Sequence, residues 1–133
     1  MRVTTVLALG IVVCAVSVAP ALRAQTAQGQ IYFEQYCVTC HGTSARGDGP
    51  LARSLRVRPA DLTQLAIRND GTFPAERVQK SIDGRARTGA PSHTDMPVWA
   101  DIFAKMSDSQ GPEDVDSKIN ALVKYVEKLQ VKQ

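Results

Sequence analysis

The sequence has few cysteines and few aromatic residues. It contains three cysteines among 133 residues, and aromatic side chains make up 5% of the chain. Two of the cysteines, Cys37 and Cys40, are separated by only two residues, so a disulfide between them would close too short a loop to support a fold. A chain of this size buries only a modest core of its own, which favours a large apolar cofactor at its centre.

The sequence also lacks β-strand patterns, internal repeats and low-complexity tracts. No segment alternates apolar and polar residues as a half-buried strand would. The formal net charge is +3, and residues 46–87 hold nine Lys or Arg against five Asp or Glu. This imbalance is too small for a nucleic-acid-binding surface, so we expect no nucleic-acid partner, but it would orient docking on a charged protein.

The first two dozen residues differ from the rest of the chain. Arg2 precedes an apolar run over residues 6–18, and small residues follow at Ala19, Ala21 and Ala24. This layout predicts a secretory signal peptide over residues 1–24 and a single mature domain over residues 25–133, exported to the periplasm. The alternative is an uncleaved membrane anchor over residues 3–22, whose 20 residues match the length of a membrane span.

Helical patterns account for most of the mature domain. Residues 27–40 predict a helix that carries Phe33, Cys37 and Cys40 on one face. Residues 42–50 form a glycine-rich loop. A second helix carries Val78 and Ile82 and ends at Gly84. The last helix begins at Pro112 and has an apolar stripe made of Ile119, Leu122, Val123, Val126 and Leu129. We therefore predict an all-α fold of three to five helices joined by long loops.

The segment Cys37-Val38-Thr39-Cys40-His41 carries the clearest chemical signal. C-x-x-C-H is the attachment signature of c-type haem. Two thiols about one helical turn apart can each add to one vinyl group of the porphyrin as a thioether, and the imidazole of the next residue, His41, then binds the iron. The cofactor predicted is one covalently attached haem c. Haem attachment normally takes place outside the cytoplasm, so the motif and the signal peptide support each other.

Two other functions use the same residue types. A thioredoxin-type dithiol also has C-x-x-C, but it begins a helix that follows a strand. Here the pair lies at the end of a helix, and no strand precedes it. A zinc site would need four ligands, and Cys37, Cys40, His41 and His93 supply that number. Haem attachment fits the motif, its position and the export signal together.

Electron transfer requires a second axial ligand for the iron. The candidates are Met96, in a proline-stiffened loop, and His93, three residues before it. Met106 falls in a short helical stretch, where filling a gap in the core is the better interpretation. We predict that His41 and Met96 bind the iron, with His93 as the rival of Met96.

These residues resemble those of class I c-type cytochromes, especially the small bacterial monohaem proteins. The resemblance covers residues 29–129, and the matching segments are Gly29, Phe33, the C-x-x-C-H motif, 47–51, 59–63, 82–84, 96–99, and Tyr125 with Leu129. It implies the class I cytochrome c fold, with helices wrapped around one haem. It also implies that Met96 is the distal ligand, that the Pro50 carbonyl accepts a hydrogen bond from His41, and that the terminal helices cross near Gly29.

The function expected from the motif and the resemblance is one-electron transfer, with no catalytic residues of its own. Its partners would be redox proteins, such as a dehydrogenase, an oxidase or another cytochrome, and it would act alone or as the haem subunit of a complex. A membrane is involved only if the N-terminal segment is retained. The alternative is a haem enzyme or gas sensor whose sixth iron position is open or labile.

Overall fold

The structure is a computed structural model that describes residues 19–87, 95–110 and 114–131. The first helix begins as α1, Ala19–Tyr32, continues through a π-helical turn, Phe33–Cys37, and ends as α2, Val38–His41. Three further helices follow: α3 is Ala75–Asp83, α4 is Trp99–Gln110 and α5 is Val115–Lys128. Short 3₁₀ turns lie at Ala52–Ser54, Leu62–Gln64, Ile67–Asn69 and Arg85–Arg87. The described residues contain no strand, so the predicted all-α fold is confirmed.

The first helix and α5 form the main packing pair of the fold. They approach closely at Gly29, where an added Cβ would overlap the carbonyl oxygen of Ala121 and lie 2.9 Å from the Cβ of Tyr125. A glycine therefore lets the two backbones meet directly. The crossing near Gly29 that the resemblance implied is present.

Helix α5 forms as its apolar stripe predicts. Asp114 precedes it in an extended conformation, Asp116 lies in its first turn and Lys128 in its last, as the helix dipole favours. The stripe residues Ile119, Leu122, Val123 and Val126 are buried, and Leu129 packs against the core. The predicted start at Pro112 lies outside the described residues.

Aromatic side chains join the first helix to α4. The Tyr36 ring lies 5.6 Å from that of Trp99 and 5.5 Å from that of Phe103, measured between ring centroids. Tyr32 adds a third ring against Phe103, which is fully buried. Although aromatics are few in the sequence, most of them are concentrated in this one cluster, which fixes α4 against the end of the first helix.

The connection after the first helix is held to the C-terminus of α5. The side-chain amide of Gln130 donates to the Leu62 carbonyl at 2.6 Å, and its oxygen accepts from the Ala66 backbone amide at 2.9 Å. The Val131 amide donates to the Thr63 carbonyl at 3.0 Å. These bonds keep a segment without regular helix in a fixed place beside the core.

No helix in the described part of the chain is long and apolar enough to cross a membrane. Residues 1–18, with most of the predicted signal peptide, lie outside it. The expected cleavage sites after Ala21 and Ala24 fall within α1. The division into residues 1–24 and 25–133 stays a prediction.

Candidate haem site

The C-x-x-C-H motif lies at the end of the first helix, as the sequence predicted, but the helix is not regular there. The backbone amide of Val38 donates to the carbonyl of Phe33, five residues earlier, which closes a π-helical turn that ends at Cys37, the first residue of the motif. Such turns occur often at functional sites because they insert one extra residue and rotate the next part of the helix. Cys37 and Cys40 are half-buried, form no disulfide, and both line the same cavity.

The loop after His41 closes the end of this helix completely. The last four carbonyls of a helix have no partner within the helix and must find one elsewhere. Here each accepts one backbone amide from the loop, at 2.8 to 3.1 Å: Val38 from Gly42, Thr39 from Leu51, Cys40 from Gly49 and His41 from Gly47. The glycine-rich loop therefore fixes the backbone from which the three motif side chains project.

Gly49 passes directly over the helix end. A Cβ there would lie 2.6 Å from the carbonyl oxygens of Val38 and Thr39 and 2.7 Å from the carbonyl carbon of Cys40. All three are backbone atoms, which cannot rotate away as a flexible side chain would. The close approach thus requires glycine at this position.

The His41 imidazole is held by a carbonyl further along the chain. Its Nδ1 lies 3.2 Å from the carbonyl oxygen of Ala60. If Nδ1–H donates this bond, the Nε2 lone pair remains available for a metal. The resemblance implied Pro50 as the acceptor, and because the observed partner is Ala60, that expectation was wrong. The segment that supplies the acceptor is 59–62, whose Leu62 amide is tied to the Ala45 carbonyl at 2.8 Å.

Burial favours the neutral form of this imidazole. The pKa of His41 is lowered from its ordinary value because the ring is removed from water, and the bond to Ala60 opposes this only in part. A neutral imidazole is the form that binds iron. The local environment therefore prepares His41 for ligation.

Met96 lines the same cavity from the segment before α4. The cavity has a volume of about 480 Å³ and brings together Cys37, Cys40, His41 and Met96. Its walls are mainly apolar and include Phe33, Tyr36, Leu55, Val57, Leu62, Leu65, Val78, Ile82, Trp99, Leu122 and Val126. A cavity of this size and character suits a large apolar cofactor with a few convergent polar groups.

The sequence analysis did not predict that two arginines would line the cavity. Arg58 and Arg77 both line the cavity, where a guanidinium would meet the carboxylates of a haem. Arg85, in contrast, pairs with Asp83, with 2.6 Å between Nη2 and Oδ2. Neither cavity arginine lies in a recognisable motif, and only the fold brings them to the site.

The structure weighs against a redox dithiol. Burial, with a smaller contribution from Cys40, raises the pKa of the Cys37 thiol to about 12. A thiol–disulfide exchange site needs the opposite shift, because the thiolate is the reactive form. Uncharged thiols that line an apolar cavity are suited to addition to the vinyl groups of a haem bound in that cavity.

A zinc site also lacks support in the described residues. No three of their His, Cys, Asp and Glu side chains are grouped to hold a metal ion. The fourth candidate ligand, His93, which is also the rival of Met96, lies outside the residues that the structure describes.

Comparison with known families agrees with this site. A family model described as cytochrome c oxidase, cbb3-type, subunit III matches residues 24–126. The chain belongs to this family of c-type cytochromes. No curated protein and no solved structure gave a significant match.

Membership in this c-type cytochrome family implies covalently bound c-type haem and electron transfer through it. The donor set in the cavity fits that group: two thiols for its vinyl groups, an imidazole and a thioether for its iron, and guanidinium groups for its carboxylates. The apolar wall between these groups would exclude water from the porphyrin faces. Each part of the cofactor thus has a chemically suitable partner.

Proposed function

We propose that this cytochrome carries one electron at a time on a single covalently attached haem c, with His41 and Met96 as the axial ligands. The observation that carries the proposal is the apolar cavity lined by both motif thiols, the His41 imidazole and the Met96 thioether. When bound, the haem iron supplies the one-electron change between ferrous and ferric.

The residues of the chain attach the haem, orient its iron ligands and hold them in place. Cys37 and Cys40 hold the haem as thioethers, and the helix-end bonds of the loop keep both sulfurs in place. Ala60 orients His41 through Nδ1. The Met96 sulfur fills the sixth position, which favours the reduced state more than a second imidazole would. A fixed pair of ligands limits structural change on electron transfer.

We propose that the protein works in the periplasm with redox proteins as partners and is not an enzyme by itself. The family name refers to an oxidase subunit, which supports an oxidase complex among the candidate partners. The excess of Lys and Arg over residues 46–87, which include the cavity arginines, favours an acidic docking surface on the partner.

The test uses absorption spectra of the protein expressed with haem-attachment machinery. We expect a low-spin c-type spectrum with the weak long-wavelength sulfur-to-iron band, and little binding of carbon monoxide to the ferrous protein. Met96→Ala should keep the haem attached, remove the band, admit carbon monoxide and lower the potential. Met106→Ala is the matched control, since Met106 packs against the core from α4 and does not line the cavity.

Two results would contradict the proposal. Purification without a haem spectrum would refute haem attachment. A haem spectrum without the sulfur band, with ready carbon monoxide binding in the unmodified protein, would refute Met96 ligation and support a haem enzyme or gas sensor.

A further inference from the structure

The residue before Met96 is bound to a distant part of the chain. Both carboxylate oxygens of Asp95 are used: Oδ2 accepts the backbone amide of Arg56 at 2.7 Å, and Oδ1 accepts Nε and Nη2 of the same residue at 3.1 Å each. These residues are 39 positions apart in the sequence. One side chain thus joins the Met96 segment to residue 56 through three hydrogen bonds.

The position of these bonds matters more than their strength. The Arg56 side chain is 80% exposed and that of Asp95 is 20% exposed, and an exposed ion pair alone stabilises a protein little. The backbone amide bond is different, because it ties the Asp95 side chain to the main chain of residue 56. The pair therefore restricts where the Met96 segment can lie while adding little to overall stability.

Residue 56 lies between residues that line the haem cavity. The neighbouring residues Leu55, Val57, Arg58, Pro59 and Ala60 all line that cavity. Ala60 is also the residue whose carbonyl holds His41. The bonds to Asp95 consequently connect the segment that bears the candidate distal ligand to the segment that orients the candidate proximal ligand.

We propose that Arg56 and Asp95 are a positioning pair that holds Met96 at the sixth iron position and so limits the entry of competing ligands. The inference rests on the proposed function, since it takes Met96 as the distal ligand. Asp95 lines the cavity beside Met96 and Arg56 does not, and we assign neither a ligand role: both act through the placement of the 95–98 segment.

The experiment measures imidazole binding to the ferric holoprotein, because imidazole competes with the thioether for the iron. We expect Asp95→Ala, which removes all three bonds, to raise the affinity for imidazole about tenfold or more. Arg56→Ala keeps the backbone amide and should give a smaller increase, and Arg56→Lys a smaller one still. The sulfur-to-iron band should weaken in the same order.

A matched control is the exposed ion pair of Glu76 and Lys80, which is also solvent-facing but lies on α3. Glu76→Ala should leave imidazole affinity unchanged. The double variant Asp95→Ala/Arg56→Ala should bind imidazole no better than Asp95→Ala alone, because both substitutions remove the same link.

The outcomes separate this inference from the proposed function. Loss of thermal stability in Asp95→Ala with unchanged imidazole affinity and an unchanged sulfur band would overturn the positioning role. Absence of the band in the unmodified protein would refute Met96 ligation itself. If the unmodified protein shows the band, and Asp95→Ala weakens it and binds imidazole more tightly, the result supports both Met96 ligation and the positioning role.

Discussion

At the scale of single residues, the haem-binding motif depends on a loop that contributes no ligand. Gly47 and Gly49 donate to the carbonyls of His41 and Cys40, the last two residues of the motif. Residues from a second segment then hold the imidazole ring through Ala60. The ligand is thus fixed at its backbone by one segment and at its side chain by another.

Replacing Gly49 with alanine should disturb this arrangement. The added methyl would press on backbone atoms of residues 38–40, and such overpacking costs about 1–3 kcal/mol. We expect a lower yield of attached haem and a lower melting temperature of the holoprotein, measured by absorbance and by circular dichroism.

The neighbouring substitution Pro50→Ala serves as the control, since Pro50 is exposed. It should leave the potential and the haem yield close to those of the unmodified protein. A large shift in potential for Pro50→Ala, with a normal Gly49→Ala variant, would contradict this account of the loop.

The sequence predicted the motif but not the residue that orients its histidine. C-x-x-C-H is local, so its spacing can be read directly from the chain. The acceptor is a backbone carbonyl, and any residue type can supply one. The resemblance implied Pro50 for this role, and only the course of the chain after the motif brings the Ala60 carbonyl to His41.

At the scale of elements, the first helix shows why periodicity describes a helix only in part. The apolar spacing of Phe33, Cys37 and Cys40 predicted one regular helix, and all three do line the cavity. The π turn at Phe33–Cys37 has no simple sequence signal, because it depends on how the helix end is held by the loop and by packing. The end of α3 at Gly84 and the apolar stripe of α5 were easier to predict from the sequence, because a helix cap and an apolar face depend on nearby residues.

The crossing of the first helix with α5 gives a prediction about Gly29. Glycine to alanine inside a helix normally stabilises it by about 1 kcal/mol. Here the new Cβ would meet the Ala121 backbone, so the helices must separate. We expect Gly29→Ala to destabilise the holoprotein by about 1–3 kcal/mol in denaturant unfolding, despite the gain in helix propensity.

Ala27→Gly provides the matched control, because Ala27 is exposed on the same helix. It should cost at most about 1 kcal/mol in helix propensity, because Ala27 lies close to the predicted start of the mature chain at residue 25. A Gly29→Ala variant more stable than the unmodified protein would show that the two helices can adjust at no cost.

At the scale of the whole molecule, the cavity proposed for the cofactor is lined by residues of the hydrophobic core. Each of the helices contributes to the cavity wall, through residues such as Phe33, Val78, Trp99 and Leu122. Without a cofactor, the mainly apolar wall of this cavity of about 480 Å³ would be exposed to water, which the hydrophobic effect disfavours. Haem attachment and folding should therefore be closely coupled.

The same chain expressed without haem attachment should consequently lose cooperative unfolding and much of its thermal stability. The loss of protection from hydrogen exchange should differ between parts of the chain. The first helix and α5 contact each other directly at Gly29 and Ala121, so their amides should keep the most protection from hydrogen exchange. Segments 55–60 and 95–97 line the cavity and should lose more of their protection.

Far-ultraviolet circular dichroism during heating, and hydrogen exchange read by mass spectrometry, would compare the haem-free chain with the holoprotein. A haem-free Cys37→Ala/Cys40→Ala variant controls for oxidation of the thiols and should behave as the haem-free chain does. If the haem-free chain instead melted cooperatively near the temperature of the holoprotein, the cavity would have to close without its cofactor. The residues around His41 and Met96 would then pack into a stable core without haem, and the prediction that folding is coupled to haem attachment would be wrong.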